Sequence, residues 1–188
     1  MIRENIDLIL SEIRQVLSSI SEEQTGQLID EILKTALRRK KIVVAGAGKV
    51  GMAMRAFGMR LGHLGFEAYT LGDSVVPSIG KGDLFLVSSG SGETQTIYDV
   101  VEIAHKNGAR VVLVTGNPDS RMGRLAHTVV KISAPSKTKA VEGLVSSQPM
   151  TTLNEQCLML FFDAVVLDLM AKTDQTHDDM WARHSNLE

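Results

Sequence analysis

Between residues 41 and 132 the chain repeats one pattern: a run of five or six apolar, largely β-branched residues, a turn rich in glycine or hydroxyl groups, then a helical stretch. The runs at 41–45, 67–71, 84–88, 110–115 and 128–132 predict strands, with helices at about 49–63 and 93–106 stopped by Gly65 and by Asn107-Gly108. Strands separated by helical crossovers lie parallel, in a sheet covered on both faces. Ahead of them, Ile2, Ile6, Ile9, Ile13, Val16 and Ile20 recur at helical steps and predict a helix over 2–19. Ser21 followed by Gln24 matches a capping box, and Leu28, Ile29, Ile32, Leu33 and Leu37 continue the stripe of a second helix. A helix over about 152–171 follows the last strand. The expected fold is therefore α/β, a three-layer α/β/α sandwich on a five-stranded parallel sheet with two N-terminal helices. One domain over 1–188 is expected, with N-terminal helices at 1–39, the core sheet at 40–133 and C-terminal helices at 150–188.

Composition narrows the function. Twenty basic against 22 acidic residues give a net charge of −2, so no overall field draws the chain to nucleic acid or anionic lipid. Any anion must be held locally. The single cysteine, Cys157, excludes an internal disulfide and a cysteine-built zinc site and suits a reducing compartment, so a cytoplasmic location is expected. The N-terminus MIRENIDLILSEIR lacks the apolar centre of a signal peptide. The apolar run at 157–170 is broken by Asp163 and Asp168 and is shorter than the roughly 20 residues of a membrane span. That helix is apolar on nearly every face, which predicts packing on more than one surface and a homo-oligomer, dimer or tetramer. The stretch 133–149, with Pro135, Gly143 and Pro149, shows no periodicity; loops above about 12–15 residues are more often functional than idle.

Two glycine loops carry the chemistry. Gly46-Ala47-Gly48-Lys49-Val50-Gly51 follows a strand and opens a helix, which satisfies a dinucleotide fingerprint, and Asp73 lies about 22 residues beyond Gly51 where a ribose-binding acid would sit. The same glycines also fit a tight strand-to-helix turn, or an anion site. The second loop, Ser88-Ser89-Gly90-Ser91-Gly92-Glu93-Thr94-Gln95-Thr96, is more specific. Its glycines let backbone N–H groups approach an anion, its hydroxyls donate further bonds, and the following helix offers its positive end. A phosphate is the expected ligand; the alternative is that Ser91 or Gly92 merely caps a helix beginning at Glu93.

Ser89-x-Ser91-Gly92-x-Thr94 after a strand, preceded by a Gly-x-Gly loop, resembles the SIS (sugar isomerase) domain family, with its flavodoxin-like fold. More narrowly, the segment MRLGHLGF at 59–66, Thr115-Gly116-Asn117-Pro118-Asp119-Ser120, Gln148-Pro149-Met150 with Glu155-Gln156, and the ending Arg183-His184-Ser185-Asn186-Leu187-Glu188 resemble the 6-phospho-3-hexuloisomerases. The chain departs from that pattern at Lys49-Val50, where Arg-Ser is usual, and at 151–155, which usually reads Gly-Ser-Leu-Phe-Glu.

The resemblance implies interconversion of D-arabino-3-hexulose 6-phosphate and fructose 6-phosphate through an enediol, in the ribulose monophosphate pathway, by a cytoplasmic homotetramer. It implies no cofactor, and no metal-ligand spacing is found. Carbonyl migration needs a base, an acid and enediolate stabilisation. Glu155 is the expected base, although Thr152 with Glu155 also reads as a capping box. His63 and His184 are the expected proton shuttles or carbonyl polarisers, the resemblance implying that His184 docks into a site, that of a neighbouring subunit included, although His63 also fits a helix C-terminus. Substrate would be held by Gly48, Lys49, Ser89, Gly90, Ser91, Gly92, Glu93, Thr94 and Gln95. Three alternatives stay open: an arabinose 5-phosphate type isomerase, whose members commonly carry extra C-terminal domains; a non-catalytic phosphosugar-binding regulator, whose DNA-binding part would need more than two helices without a basic face; and a nicotinamide oxidoreductase.

Overall fold

The structure, a computed structural model, describes residues 1–135, 141 and 143–187. The elements run α1 (Ile2–Leu17), α2 (Glu22–Leu37), β1 (Ile42–Ala45), α3 (Gly48–His63), β2 (Ala68–Thr70), β3 (Leu84–Ser88), α4 (Gln95–Lys106), β4 (Arg110–Thr115), α5 (Arg121–Leu125), β5 (Thr128–Lys131), α6 (Thr152–Lys172) and α7 (His177–Trp181). The strands form one parallel sheet in the order β2-β1-β3-β4-β5, the five-stranded α/β arrangement expected.

Strand periodicity of two sorts the core into two layers. Ile42, Val44, Leu84, Leu86, Val112, Val114 and Val130 bury one face against α1, α2, α3 and α6. Val43, Ala45, Phe85, Val87, Val111 and Leu113 bury the other against α4 and α5, together with Tyr69, Val76 and Ile79. The inner strands are apolar at almost every position because both faces are covered, which explains why their sequence shows no alternation. Helix α6 sinks Leu153, Cys157, Leu158, Phe161, Phe162, Val165, Val166 and Leu169, while Leu160 and Leu167 stay exposed. On α1 only Ile13 and Val16 of the predicted stripe are fully buried; Ile2, Ile6 and Leu10 project from the core. Among the described residues no helix is long and apolar enough to cross a membrane.

Several local expectations are corrected. Helix α4 begins at Gln95 instead of 93, because residues 89–94 are spent in a loop, and Thr94 is its N-cap without a side-chain capping bond. Ser21 accepts from the Gln24 N–H, but the Gln24 side chain does not close the box: its amide oxygen accepts from Lys131 N at the outer strand β5. The five-residue helices α5 and α7 lie below the length at which periodicity shows; local bonds start them, Ser120 accepting from Gly123 N and Thr176 with Asp179 forming a capping box. Of the stretch read as a loop over 133–149, residues 136–140 and 142 lie outside the described residues, as does Glu188.

Phe162 on α6 stacks on Phe57 of α3 with ring centroids 4.1 Å apart. Phe162→Ala should cost about 3–5 kcal/mol, read as a shifted urea midpoint with little change in slope; a loss below about 1 kcal/mol would show that this contact does not join α6 to the core.

Candidate active site

In a parallel sheet every turn that follows a strand collects at one edge, and between β1 and β3 the chain reverses its direction of winding. The loop after β1 and the loop after β3 therefore open side by side. With the start of α6 they line a cavity of about 640 Å³ that includes Gly48, Lys49, Ser89, Ser91, Thr94 and Glu155.

In the first loop the glycines serve the turn itself. A Cβ on Gly51 would stand 2.6 Å from the Gly46 carbonyl oxygen, and Gly48 sits at φ 58°, a conformation few side chains tolerate. Asp73 does not reach this loop; it pairs with Arg55 at 2.9 Å in a separate cleft beside β2, which removes the acid that the dinucleotide reading required.

The second loop is not a cap. Ser89 Oγ accepts from Gly92 N at 3.1 Å and Ser91 Oγ accepts from Glu93 N at 3.2 Å, so each hydroxyl turns the backbone within the loop. Ser89 Oγ also lies 3.3 Å from Thr94 Oγ1. Among the described residues no group accepts from the N–H of Gly90, Ser91 or Thr94. The loop's carbonyls, by contrast, are tied to the end of β4, the turn after it and the start of α5. Gly116 N and Thr115 Oγ1 donate to Gly90 O, Asn117 Nδ2 to Ser91 O, Met122 N to Gly92 O and Arg121 Nη2 to Glu93 O. Unaccepted amides and hydroxyl protons beside anchored carbonyls make a surface suited to an oxyanion. Gly92, at φ 66°, packs so closely on Ser120 that a Cβ would overlap its hydroxyl.

Two predicted residues of this loop face elsewhere. Gly92 and Gln95 do not line the cavity, and the Gln95 side chain binds Asp99 and Arg121. Glu93 lines it in part, but its carboxylate accepts from Arg121 N at 2.8 Å and Arg121 Nε at 2.6 Å. The Arg121 guanidinium and N–H hold the Glu93 carboxyl below the usual carboxylate range, against a smaller opposing effect of burial.

Glu155 stands in the first turn of α6 at the cavity wall. No capping box forms there, since the N-cap is Thr151 and its hydroxyl donates to Glu155 Oε1 at 2.8 Å. Lys49 Nζ lies 3.2 Å from Glu155 Oε2, joining the first loop to α6 across the cavity. Asn154, buried, meets the second loop where Gly90 leaves room for it: a Cβ at Gly90 would stand 3.3 Å from Asn154 Nδ2. Burial pushes the thiol of Cys157, one turn below, up to about 12, which disfavours its thiolate.

His63 and His184 come together, with rings 5.2 Å apart, but at the far end of α3 from Gly48, about 22 Å along the helix. Arg183 docks the tail there by donating to His63 O at 3.0 Å. No histidine of the same chain lines the cavity among the described residues.

One supporting residue went unread in the sequence. Glu12 of α1 is buried, and its carboxylate accepts from Ser146 Oγ at 2.7 Å, Ser147 N at 2.9 Å and Gln148 Nε2 at 2.9 Å. It thereby fixes the segment that leads through Met150 into α6. The signal was available: a carboxylate beside Ile9, Ile13 and Val16 interrupts the apolar stripe.

A hydroxyl-rich loop beside a glycine turn at the switch point of this sheet defines a class of α/β domain with an anion-suited crevice, and the sequence profile of the SIS domain matches residues 37–160. The chain belongs to the SIS domain family. Among its relatives, the 3-hexulose-6-phosphate isomerase of Bacillus subtilis is 37% identical over 180 residues, covering 96% of this chain and 95% of that protein. The Mycobacterium gastri protein of the same name is 37% identical over 187 residues, covering 100% and 92%. A solved structure from Methanococcus jannaschii, for which a molecular function of 3-hexulose-6-phosphate isomerase was inferred, superposes with a TM-score of 0.83 at 27% identity, covering 98% and 99%.

Burial alone would raise the Glu12 carboxyl, but the Ser147 N–H, the Gln148 amide and the Ser146 hydroxyl outweigh it and hold the group below its ordinary 4.5. A carboxyl lowered in the folded state stabilises fully above the unfolded value and loses that contribution as pH falls through the folded one. Glu12→Gln should therefore cost on the order of 1–3 kcal/mol near neutral pH and show a flatter acid limb than the parent in urea melts taken down to about pH 3. Parallel limbs would show that Glu12 is not a stabilising carboxylate.

Proposed function

We propose that this chain, a single domain over residues 1–188, interconverts D-arabino-3-hexulose 6-phosphate and fructose 6-phosphate through a 2,3-enediol, in the cytoplasm on the ribulose monophosphate route. The observation that carries the reading is the carboxylate of Glu155 in the same cavity as the hydroxyl loop. The full-length similarity to proteins named 3-hexulose-6-phosphate isomerase supports it.

Ser89, Ser91 and Thr94, with the loop amides, grip the phosphate, and that remote binding energy fixes the reacting carbons beside the base. Glu155 takes the proton from C2 of the 3-ketose as the electrons move to the C3 oxygen. The resulting enediolate is stabilised by the ammonium of Lys49, which already stands against the Glu155 carboxylate. Return of the proton to C3, with transfer of a hydroxyl proton from O2 to O3, gives the 2-ketose. The steps conserve electrons and call for no redox partner.

His63 and His184 would reach such a cavity only from a second copy of the chain, so the reading includes a homo-oligomer, as a tetramer or dimer, in which the tail of one copy completes the site of another. The exposed Ile2, Ile6 and Leu10 of α1 and Leu160 and Leu167 of α6 support association.

Ribulose 5-phosphate, formaldehyde and a hexulose-phosphate synthase coupled to this protein should yield fructose 6-phosphate; no product in the presence of accumulated hexulose phosphate would refute the activity. Glu155→Gln should lower kcat by about 10²–10⁴ with phosphosugar binding kept within roughly threefold. An unchanged kcat would remove Glu155 from the mechanism.

A further inference from the structure

A carboxylate is a poor neighbour for a dianion, yet Glu93 stands between Gly92 and Thr94 in the loop that holds the phosphate in the proposed function. Arg121 resolves the conflict. It belongs to α5, after β4, and does not itself line the cavity. Its N–H and Nε take both Glu93 carboxylate oxygens, at 2.8 and 2.6 Å, while Nη2 donates to the Glu93 carbonyl at 3.0 Å. Nη1 donates to Gln95 Oε1 at 3.1 Å, and the guanidinium carbon lies 4.4 Å from the centre of the Tyr98 ring. One side chain thus grips the end of the loop and the first turn of α4 together. The planar fork matters, since an ammonium cannot serve a carboxylate, a carbonyl and an amide oxygen while stacking on a ring.

We infer that Arg121 is a positioning residue of the phosphate loop, acting through Glu93: it neutralises that carboxylate and draws it toward α5, so that the loop offers the ligand only amides and hydroxyls. The inference rests on the phosphosugar reading above. It differs from a merely structural role in one respect. If Arg121 acts by cancelling the charge of Glu93, the damage done by its removal depends on that charge being present.

The test is a double-mutant cycle read by calorimetry with fructose 6-phosphate and by steady-state kinetics. Arg121→Met should weaken binding and raise KM by about tenfold or more, while kcat at saturation stays within about threefold, because Lys49 and Glu155 are untouched. Adding Glu93→Gln to Arg121→Met should recover most of the lost affinity, and Arg121→Lys should fall between Arg121→Met and the parent. Affinity unchanged in Arg121→Met, or equal losses in Arg121→Met with and without Glu93→Gln, would overturn the inference while leaving the isomerase reading intact. Should Arg121→Met fail to fold by circular dichroism, the comparison of Arg121→Lys with and without Glu93→Gln decides in the same way. A parent protein that binds neither fructose 6-phosphate nor inorganic phosphate would overturn the isomerase reading and this inference together.

Discussion

The site depends on a constraint of the sheet more than on any one side chain. Parallel strands send every following turn to the same edge, and the change of winding direction between β1 and β3 parts two of those turns to leave a crevice. Among the described residues, the lysine, hydroxyls and carboxylate named above stand around that opening. The first loop brings a lysine, the second brings hydroxyls and amides, and α6 brings its first-turn carboxylate. None of these groups is unusual alone. The sheet order makes them neighbours.

The crevice is also held from outside. The loop after β3 has short hydrogen bonds of its own, but its carbonyls are fastened to the turn after β4, and the approach to α6 is fastened to α1 by Glu12. An anion site built of backbone amides has little rotamer freedom to lose on binding, provided the backbone is held beforehand. Here that holding falls to residues that a ligand would not touch.

Much of the fold was legible because it follows from pattern: β-branched runs of strand length, glycine stops, and a stripe at helical spacing. The sheet was readable strand by strand, with only edge residues misplaced. The loop at 88–96 was legible as a loop because its glycines and hydroxyls stand together in sequence. What escaped was whatever depends on a partner distant in sequence. Gln24 was read as closing a capping box and instead satisfies Lys131, because the competing donor lies 107 positions away. The loop's own sequence makes Glu93 a candidate ligand residue, since nothing in it reveals that Arg121 occupies the carboxylate. The partners of Glu12 were not legible, because its three donors sit in a stretch without periodicity. His63 and His184, each a candidate proton shuttle by residue type, stand together at the end of α3 remote from the loop.

The hold of Glu12 on residues 146–148 bears on where this machine begins. The segment recognisable as the SIS domain starts at residue 37, yet a wall of its crevice is pinned by a carboxylate on the first helix. The stretch that defines kinship and the stretch that defines a working part are therefore not coextensive. A chimera that transplanted only the recognisable portion onto another N-terminus would inherit the hydroxyl loop and leave Glu155 on an unmoored helix.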